Sequence, residues 1–132
     1  GQETDAGGWS DLFQIGFTAV KGAWSVQYRE IDVDDAPKAV QAWVKKLQES
    51  NQPVADYKQH HGCTYVFITL GRKKTAGYRI DVEPEISGAG HLEITIRKVD
   101  PTPWQLTAQV ISHPSILIRF DSIYPNIQFQ YR

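Results

Sequence analysis

Apolar and polar residues alternate along much of the chain, and this pattern predicts β-strands. In YRIDVEPEI, the residues Tyr78, Ile80 and Val82 alternate with charged residues, which is the period of a strand with one buried face. HLEITIRKV repeats the alternation, and the small residues 87–90 between the two stretches predict a hairpin loop. The unbroken apolar run TYVFITL is suited to a central strand.

Further strand-like stretches lie near both ends of the sequence. LFQIGFTAV and AWSVQYREIDV are rich in β-branched and aromatic residues, and Gly22 between them predicts a turn that joins them as a hairpin. WQLTAQVIS, SILIRF and IQFQYR are three more candidate strands, separated by His113-Pro114 and Pro125-Asn126. The chain after Pro53 is therefore expected to be almost entirely β.

One segment has the signals of a helix. Asp34 and Asp35 offer carboxylates to cap a helix start, and Pro37 suits the first turn, where no amide donor is needed. Apolar residues then recur at helical spacing, at Val40, Trp43, Val44 and Leu47. Asn51 and Pro53 predict the end of the helix.

Short strands at regular intervals with a single helix predict a mostly β fold of the α+β class. We expect an antiparallel β-sandwich or a partly open barrel of about seven to eight strands. The length of 132 residues suits a single domain. Residues 1–10, which are small, polar and rich in glycine, read as a flexible spacer, and residues 11–132 as the domain.

Composition narrows the classes of function. With 14 basic and 15 acidic side chains the net charge is −1, which gives no field that attracts a polyanion, so nucleic acid is not expected as a partner. A single cysteine allows no internal disulfide. No run of 18 apolar residues is present to span a membrane. The first ten residues lack the features of a signal peptide and are expected to follow a leader or anchor that has been removed.

The segment GRKKTAGYRI, residues 71–80, carries three consecutive basic residues between two glycines. A phosphate-binding loop is excluded, because Gly71 and Gly77 are one residue too far apart and Tyr78 stands where lysine is required. A strand follows instead of the helix that such a loop needs. Because no second basic stripe supports a nucleic-acid patch, we predict that the segment turns a β-hairpin, with Gly77 free to take a positive φ.

Other residues that carry chemistry form no catalytic or metal-binding pattern. His60 and His61 precede Cys63, but neighbouring residues of an extended chain point to opposite sides, and no second pair follows at zinc spacing. The serines lack a nucleophile-elbow context, and Cys63 is expected to behave as a small hydrophobe. The strand carboxylates fit solvent-facing positions. We therefore expect a protein that is not an enzyme and holds no metal or cofactor.

A set of residues in a fixed order runs through residues 56–120. It comprises Asp56-Tyr57 before the apolar strand, Gly71 at its end, the turn Thr75-Ala76-Gly77-Tyr78, and then Gln109 and His113-Pro114. In this strand context the set resembles the C-terminal domain of the protease-complex-subunit PrcB family. Ala76 departs from the family's pattern, which has a glycine at that position.

The resemblance implies a β-rich bacterial protein that is secreted or associated with the cell envelope, with a lipoprotein-like attachment through residues removed upstream. In the namesake system the domain accompanies and stabilises a secreted serine protease complex. We therefore expect a protein-binding accessory module whose partner is a secreted protease or another envelope protein.

Candidate binding residues lie at the predicted hairpin and in the last strand. At the hairpin they are Arg72, Lys73, Lys74, Thr75 and Tyr78. In the last strand, IQFQYR, Phe129 and Tyr131 flank polar residues. Two alternative functions stay open: a protease inhibitor that presents loop 71–78, and a carbohydrate-binding domain that stacks sugars on Trp9, Trp24 and Trp104.

Overall fold

The computed structural model describes residues 17–20, 23–102 and 109–132, with side chains described from Val26 onward. One helix, α1 (Lys38–Gln48), follows a 3₁₀ turn at Val33–Asp35. The strands within these ranges are β1 (Phe17–Val20), β2 (Ala23–Val26), β3 (Arg29–Glu30), β4 (Val54–His60), β5 (Cys63–Thr69), β6 (Arg79–Ile86), β7 (Leu92–Val99), β8 (Ser115–Phe120) and β9 (Ile127–Tyr131).

The strands form two sheets that face each other and do not close into a barrel. One sheet has the order β1-β2-β6-β7-β9 and the other β3-β8-β5-β4. Neighbours are antiparallel except β7 and β9, which are parallel because the chain visits the second sheet as β8 between them. The predicted mostly β fold with one helix, a sandwich of antiparallel strands, is confirmed.

Apolar side chains from the inner faces of both sheets form the main core. The most deeply buried of them are Val66, Ile68, Leu92, Ile94, Ile96, Ile118 and Phe120. They come from β5, β7 and β8, each of which has a neighbouring strand on both sides. On β7, the positions between the buried residues carry polar side chains, as the alternating sequence predicts.

Helix α1 covers the outer face of the four-stranded sheet and completes a third layer. Val40 and Val44 of the helix are fully buried against Tyr65, Phe67 and Leu117 of that sheet. Strand β5 is consequently buried on both faces from Thr64 to Thr69, which explains why its sequence is an unbroken apolar run. The predicted apolar stripe of the helix is thus a packing stripe.

The predicted cap of α1 is wrong. Asp34 and Asp35 lie in the 3₁₀ turn, and the helix begins after Pro37 without a side-chain capping bond. The residue before a proline is disfavoured in the helical region, so Ala36 is extended, with φ −84° and ψ 159°, and separates the two acids from the helix. Instead, Gln41 Nε2 donates a hydrogen bond of 2.8 Å to the carbonyl of Ala36.

Two predicted hairpins are confirmed as strand pairs. β6 and β7 pair antiparallel across residues 87–90, and β1 pairs antiparallel with β2; Gly22 lies outside the described residues. A third hairpin, β4–β5, was not foreseen. Its two-residue loop is His61-Gly62, with φ of 48° and 79°, the pair of positive angles that a type I′ turn requires.

Two predicted strands are wrong in part. AWSVQYREIDV divides at residues 27–28, where the chain passes from β2 in one sheet to β3 in the other. Within WQLTAQVIS, residues 104–108 lie outside the described residues, and residues 109–112 contribute only an isolated bridge between Ser112 and Lys73.

Candidate functional site

The basic segment, residues 71–78, is not a hairpin, which corrects the prediction. It follows β5 in one sheet and leads to β6 in the other, so it is a crossover between sheets. Gly71 and Gly77 have φ of 77° and 99°. A Cβ atom on Gly71 would stand 2.7 Å from the carbonyl oxygen of Asn51, so the chain can leave β5 here only through glycine.

Main-chain hydrogen bonds hold the basic segment in place. Lys73 N–H donates to the Ser112 carbonyl and Ser112 N–H to the Lys73 carbonyl, both at 2.9 Å. The Ser112 hydroxyl donates to the Thr75 carbonyl at 2.7 Å, and Arg72 N–H donates to the Asn51 carbonyl at 3.1 Å. The main chain of three predicted binding residues is therefore occupied in fixing the crossover.

The side chains of the predicted binding residues separate into two groups. Arg72 and Lys74 are exposed to solvent. Lys73 places its ammonium nitrogen 5.4 Å from the ring centroid of Tyr78, within the range of a cation–π contact. Tyr78 in turn lines a groove, which places it on a concave surface.

This groove, of about 600 Å³, lies between the two sheets. Residues 79–82 of β6 form one wall, and residues 114–116, leading into β8, form the other. Tyr28 and Glu30 close it where the chain crosses from β2 to β3. Its lining combines aromatic and aliphatic surface with a few charged groups, which is typical of binding sites.

One wall of the groove is an unpaired sheet edge, and Pro84 is the reason. β2 pairs with β6 only at Trp24↔Ile86 and Ser25↔Glu85. Ser87 N–H donates to the His91 carbonyl, so the odd-numbered residues of β6 are those whose main-chain groups bond to β7. The main-chain groups of the even-numbered residues therefore point toward β2. The next donor toward β2 would be residue 84, and proline has none.

Beyond Pro84, the main-chain groups of Ile80 and Val82 therefore face the groove. Their register partners in β7 are Lys98 and Ile96, but these are pairs that do not exchange main-chain hydrogen bonds in an antiparallel ladder. Among the described residues, no other strand reaches Ile80 or Val82 from the β2 side. We call these two residues the free edge of β6.

Charge in the groove is partly neutralised. Arg79 donates two hydrogen bonds to Asp81, of 3.0 and 3.3 Å. These bonds lower the pKa of Asp81 and raise that of Arg79, since each stabilises the charged form. Glu30 is the third charged residue of the lining, and it has no ion-pair partner in the part of the chain that the structure describes.

Tyr28 is one of two tyrosines that line the groove. Its ring centroid lies 6.0 Å from that of Phe120. Burial, followed by the nearby charges of Glu30 and Asp81, raises the pKa of its phenol. It therefore stays protonated at neutral pH and can donate a hydrogen bond to a bound carbonyl.

The histidine pair has a geometry that the sequence did not suggest. The rings of His60 and His61 lie edge to face with centroids 4.1 Å apart, because the chain reverses at His61 instead of continuing as a strand. The prediction that they point to opposite sides is wrong. Desolvation first, and then the charges of His61 and Lys58, lower the pKa of His60. Within the described ranges, no group of three or more His, Cys, Asp or Glu side chains is arranged to hold a metal ion.

The other predicted surfaces have different outcomes. Tyr131 of the last strand is 56 % exposed, and Phe129 is half-buried against the core. Trp9 and Trp104 lie outside the described residues, and so does the side chain of Trp24. In the described part of the chain, no helix has the length and apolarity needed to cross a membrane.

Sequence reasoning missed the groove, although one signal was present. Pro84 interrupts YRIDVEPEI, which was read as an ordinary alternating strand. A proline inside a strand indicates an edge on the side that its nitrogen faces. The closed end of the groove, with Tyr28 and Glu30, depends on the crossing between sheets at residues 27–28, for which no local signal exists.

Comparison with known proteins gives a family match for the central part of the chain. No curated protein and no solved structure matches the chain. Residues 64–121 match the family model described as PrcB C-terminal. This range runs from β5 through β6 and β7 to the end of β8, and so includes the crossover and both walls of the groove, but not Tyr28 and Glu30. The resemblance predicted from the sequence is confirmed over residues 64–121, the part of the chain that is similar to the PrcB C-terminal family.

Proposed function

We propose that this protein is a non-enzymatic accessory module that binds an extended segment of a partner protein in the groove. The observation that carries the proposal is the free edge of β6, where Ile80 and Val82 offer main-chain donors and acceptors. An extended peptide can add to such an edge as a further strand, so that its backbone supplies affinity and its alternate side chains supply specificity.

The lining of the groove favours one chemistry for the bound segment. Ile80, Val82 and Ile116 are partly buried against the core, and they suit apolar side chains at alternate positions of an added strand. Glu30 is the uncompensated charge, so a lysine or arginine at one end of the segment fits best. The partner segment is therefore apolar with a basic residue, and a polyanion does not fit.

The family match bears on the kind of partner. The name PrcB denotes an accessory-type family associated with a protease complex. The partner is a protease or another component of the bacterial cell envelope, and the protein works outside the cytoplasm, secreted or attached to the envelope. Binding of this kind stabilises a partner by holding one of its segments.

The inhibitor alternative is less compatible with the geometry of the basic segment. An inhibitory loop offers its main chain to the active-site cleft of a protease. The main-chain N–H and carbonyl of Lys73, however, are both already hydrogen-bonded to Ser112. The carbonyl of Thr75 also accepts from Ser112. The side chains of Arg72 and Lys74 are exposed and can still contact a protease.

The proposal is tested by capture from the envelope and secreted fractions of the native organism, followed by mapping of the contact. The wild type is compared with Val82→Pro, which removes one donor of the free edge while leaving the bonds to β7 intact. The variant Arg72→Ala/Lys73→Ala/Lys74→Ala is the control. Equal thermal unfolding of all three proteins establishes that each is folded.

We expect the same identified protein to be captured by the wild type and the triple alanine variant, and to be lost with Val82→Pro. A peptide from that protein should then slow amide exchange at Ile80 and Val82. Loss of capture with the triple variant alone would move the contact to the basic segment. Capture that survives Val82→Pro, with no protection of β6, would overturn the groove as the site.

A further inference from the structure

The two sheets also end on the side of the sandwich opposite the groove, at β4 and β9. Gln59 of β4 donates a hydrogen bond of 3.0 Å to the carbonyl of Tyr124, just before β9, so the two edge strands lie close together. β4 carries Asp56 and Lys58, and charges of this kind discourage pairing with another chain. β9, with the sequence IQFQY, carries none.

The parallel ladder shows which main-chain groups of β9 are free. Leu92 N–H donates to the Asn126 carbonyl, and Arg132 N–H donates to the Ile96 carbonyl, each at 2.9 Å. Even-numbered residues from 126 to 132 thus face β7. Ile127, Phe129 and Tyr131 direct their main-chain groups outward, where no described strand lies.

These three residues are evenly spaced about Phe129, and this spacing is self-complementary. If a second β9 lies antiparallel, Phe129 pairs with its own counterpart, and Ile127 pairs with Tyr131 of the second copy. Every outward donor then meets an outward acceptor on both chains. A two-fold axis through such a pair is the symmetry of most dimers.

The side chains suit the same register. Gln128 and Gln130 are exposed on the outer face. Gln128 of one copy would lie opposite Gln130 of the second copy, where the side-chain amides can exchange hydrogen bonds. On the inner face, Tyr131 is 56 % exposed and Tyr57 of neighbouring β4 is 39 % exposed. A second copy would cover this aromatic surface.

We propose that two copies of this chain pair through antiparallel β9 strands centred on Phe129 and so form one continuous ten-stranded sheet. The pairing uses the edge opposite the groove. It therefore depends on observations independent of the partner-binding function, and it leaves both grooves open. Two linked modules would bind a partner that presents two segments more tightly than one module does.

The test uses a matched pair of double variants of the full chain. In Gln128→Lys/Gln130→Lys, each lysine faces a lysine of the second copy. In Gln128→Lys/Gln130→Glu, each lysine faces a glutamate. Both doubles replace the same two exposed side chains, so they differ only in the sign of the charge across the proposed axis. Tyr131→Pro, a third variant, removes an outward donor and no bond to β7.

Sedimentation equilibrium measures the dimer dissociation constant for each protein, and circular dichroism confirms that each is folded. We expect a wild-type dimer that the Lys/Glu double retains. The Lys/Lys double should weaken it about 5- to 30-fold, from two repulsive cross-strand pairs, and Tyr131→Pro should weaken it as well. A monomeric wild type would overturn the proposal. So would a dimer that tolerates the Lys/Lys double, or that loses as much affinity in the Lys/Glu double, because the surface or register would then be different.

Discussion

The basic segment and the free edge of β6 adjoin each other at Tyr78, yet they differ in what they leave unbonded. The basic segment displays charge, but its main chain is bonded to Ser112 and Asn51. The free edge displays little charge, but the main-chain groups of Ile80 and Val82 face the groove and pair with no described strand. Surface charge is visible in a sequence, whereas an unpaired main chain is indicated there only indirectly, in this chain by Pro84. The unpaired main chain is the stronger indication of a peptide site, because unpaired donors and acceptors at a sheet edge can pair with another chain.

The largest expected effect on stability comes from a substitution that disrupts the basic segment. Gly71→Ala should destabilise the protein by about 2–4 kcal/mol, because alanine is strained at positive φ and its Cβ would collide with the Asn51 carbonyl. Urea unfolding followed by tryptophan fluorescence measures the change. Gly88→Ala is the control, since a Cβ there meets nothing within 4 Å. Equal stability of the two variants would show that the crossover is not held as described.

The next largest effect tests the role of the groove in binding the partner segment. Glu30→Lys should weaken binding of the partner segment about tenfold, because a repulsive charge replaces an attractive one at the rim. Glu30→Gln should have a smaller effect. Titration calorimetry with the captured partner's peptide measures both variants. Tighter binding of Glu30→Lys would mean that the segment is acidic, contrary to the chemistry proposed for it.

A smaller effect separates the two regions. Ser112→Ala removes the hydroxyl that donates to Thr75, and we expect a loss of about 0.5–1.5 kcal/mol in unfolding free energy. Partner affinity should stay unchanged, because the free edge of β6 is untouched. Thermal unfolding and calorimetry of the same sample check both statements. A large loss of affinity would show that the basic segment itself touches the partner.

The smallest effect concerns pH. The folded pKa of Asp81 is depressed by its bonds to Arg79, so the pair stabilises the fold above the ordinary Asp value of 3.8. This contribution is lost as pH falls below 3.8 and through the lowered folded pKa. Asp81→Asn should therefore show less loss of stability than the wild type in that range. Parallel curves for the two proteins would mean that the pair contributes nothing.

Local patterns predicted local structure well. The β6–β7 hairpin followed from two alternating stretches and a loop of small residues, and helix α1 followed from the spacing of Val40 and Val44. Gly77 was predicted to allow a positive φ, and it does. Each of these features depends on residues that are near one another in the sequence.

The groove as a whole could not be predicted, because it depends on contacts between distant residues, although Pro84 is a local sign of an edge in β6. β5 and β6 are consecutive, and nothing local shows that they belong to different sheets. The free edge exists because Pro84 falls where β2 would continue its pairing, about sixty residues away in the sequence. The unpredicted His61-Gly62 turn is different, since a two-residue loop ending in glycine was a usable signal.

Amide hydrogen exchange of the free protein, followed residue by residue by NMR, tests the open edge most directly and needs no partner. Asp81 and Glu83 donate toward β7, so their amides should exchange slowly. Ile80 and Val82 should exchange much faster, which gives an alternation along one strand. If Ile80 and Val82 exchange as slowly as their neighbours, that edge is already covered and the groove cannot accept a strand.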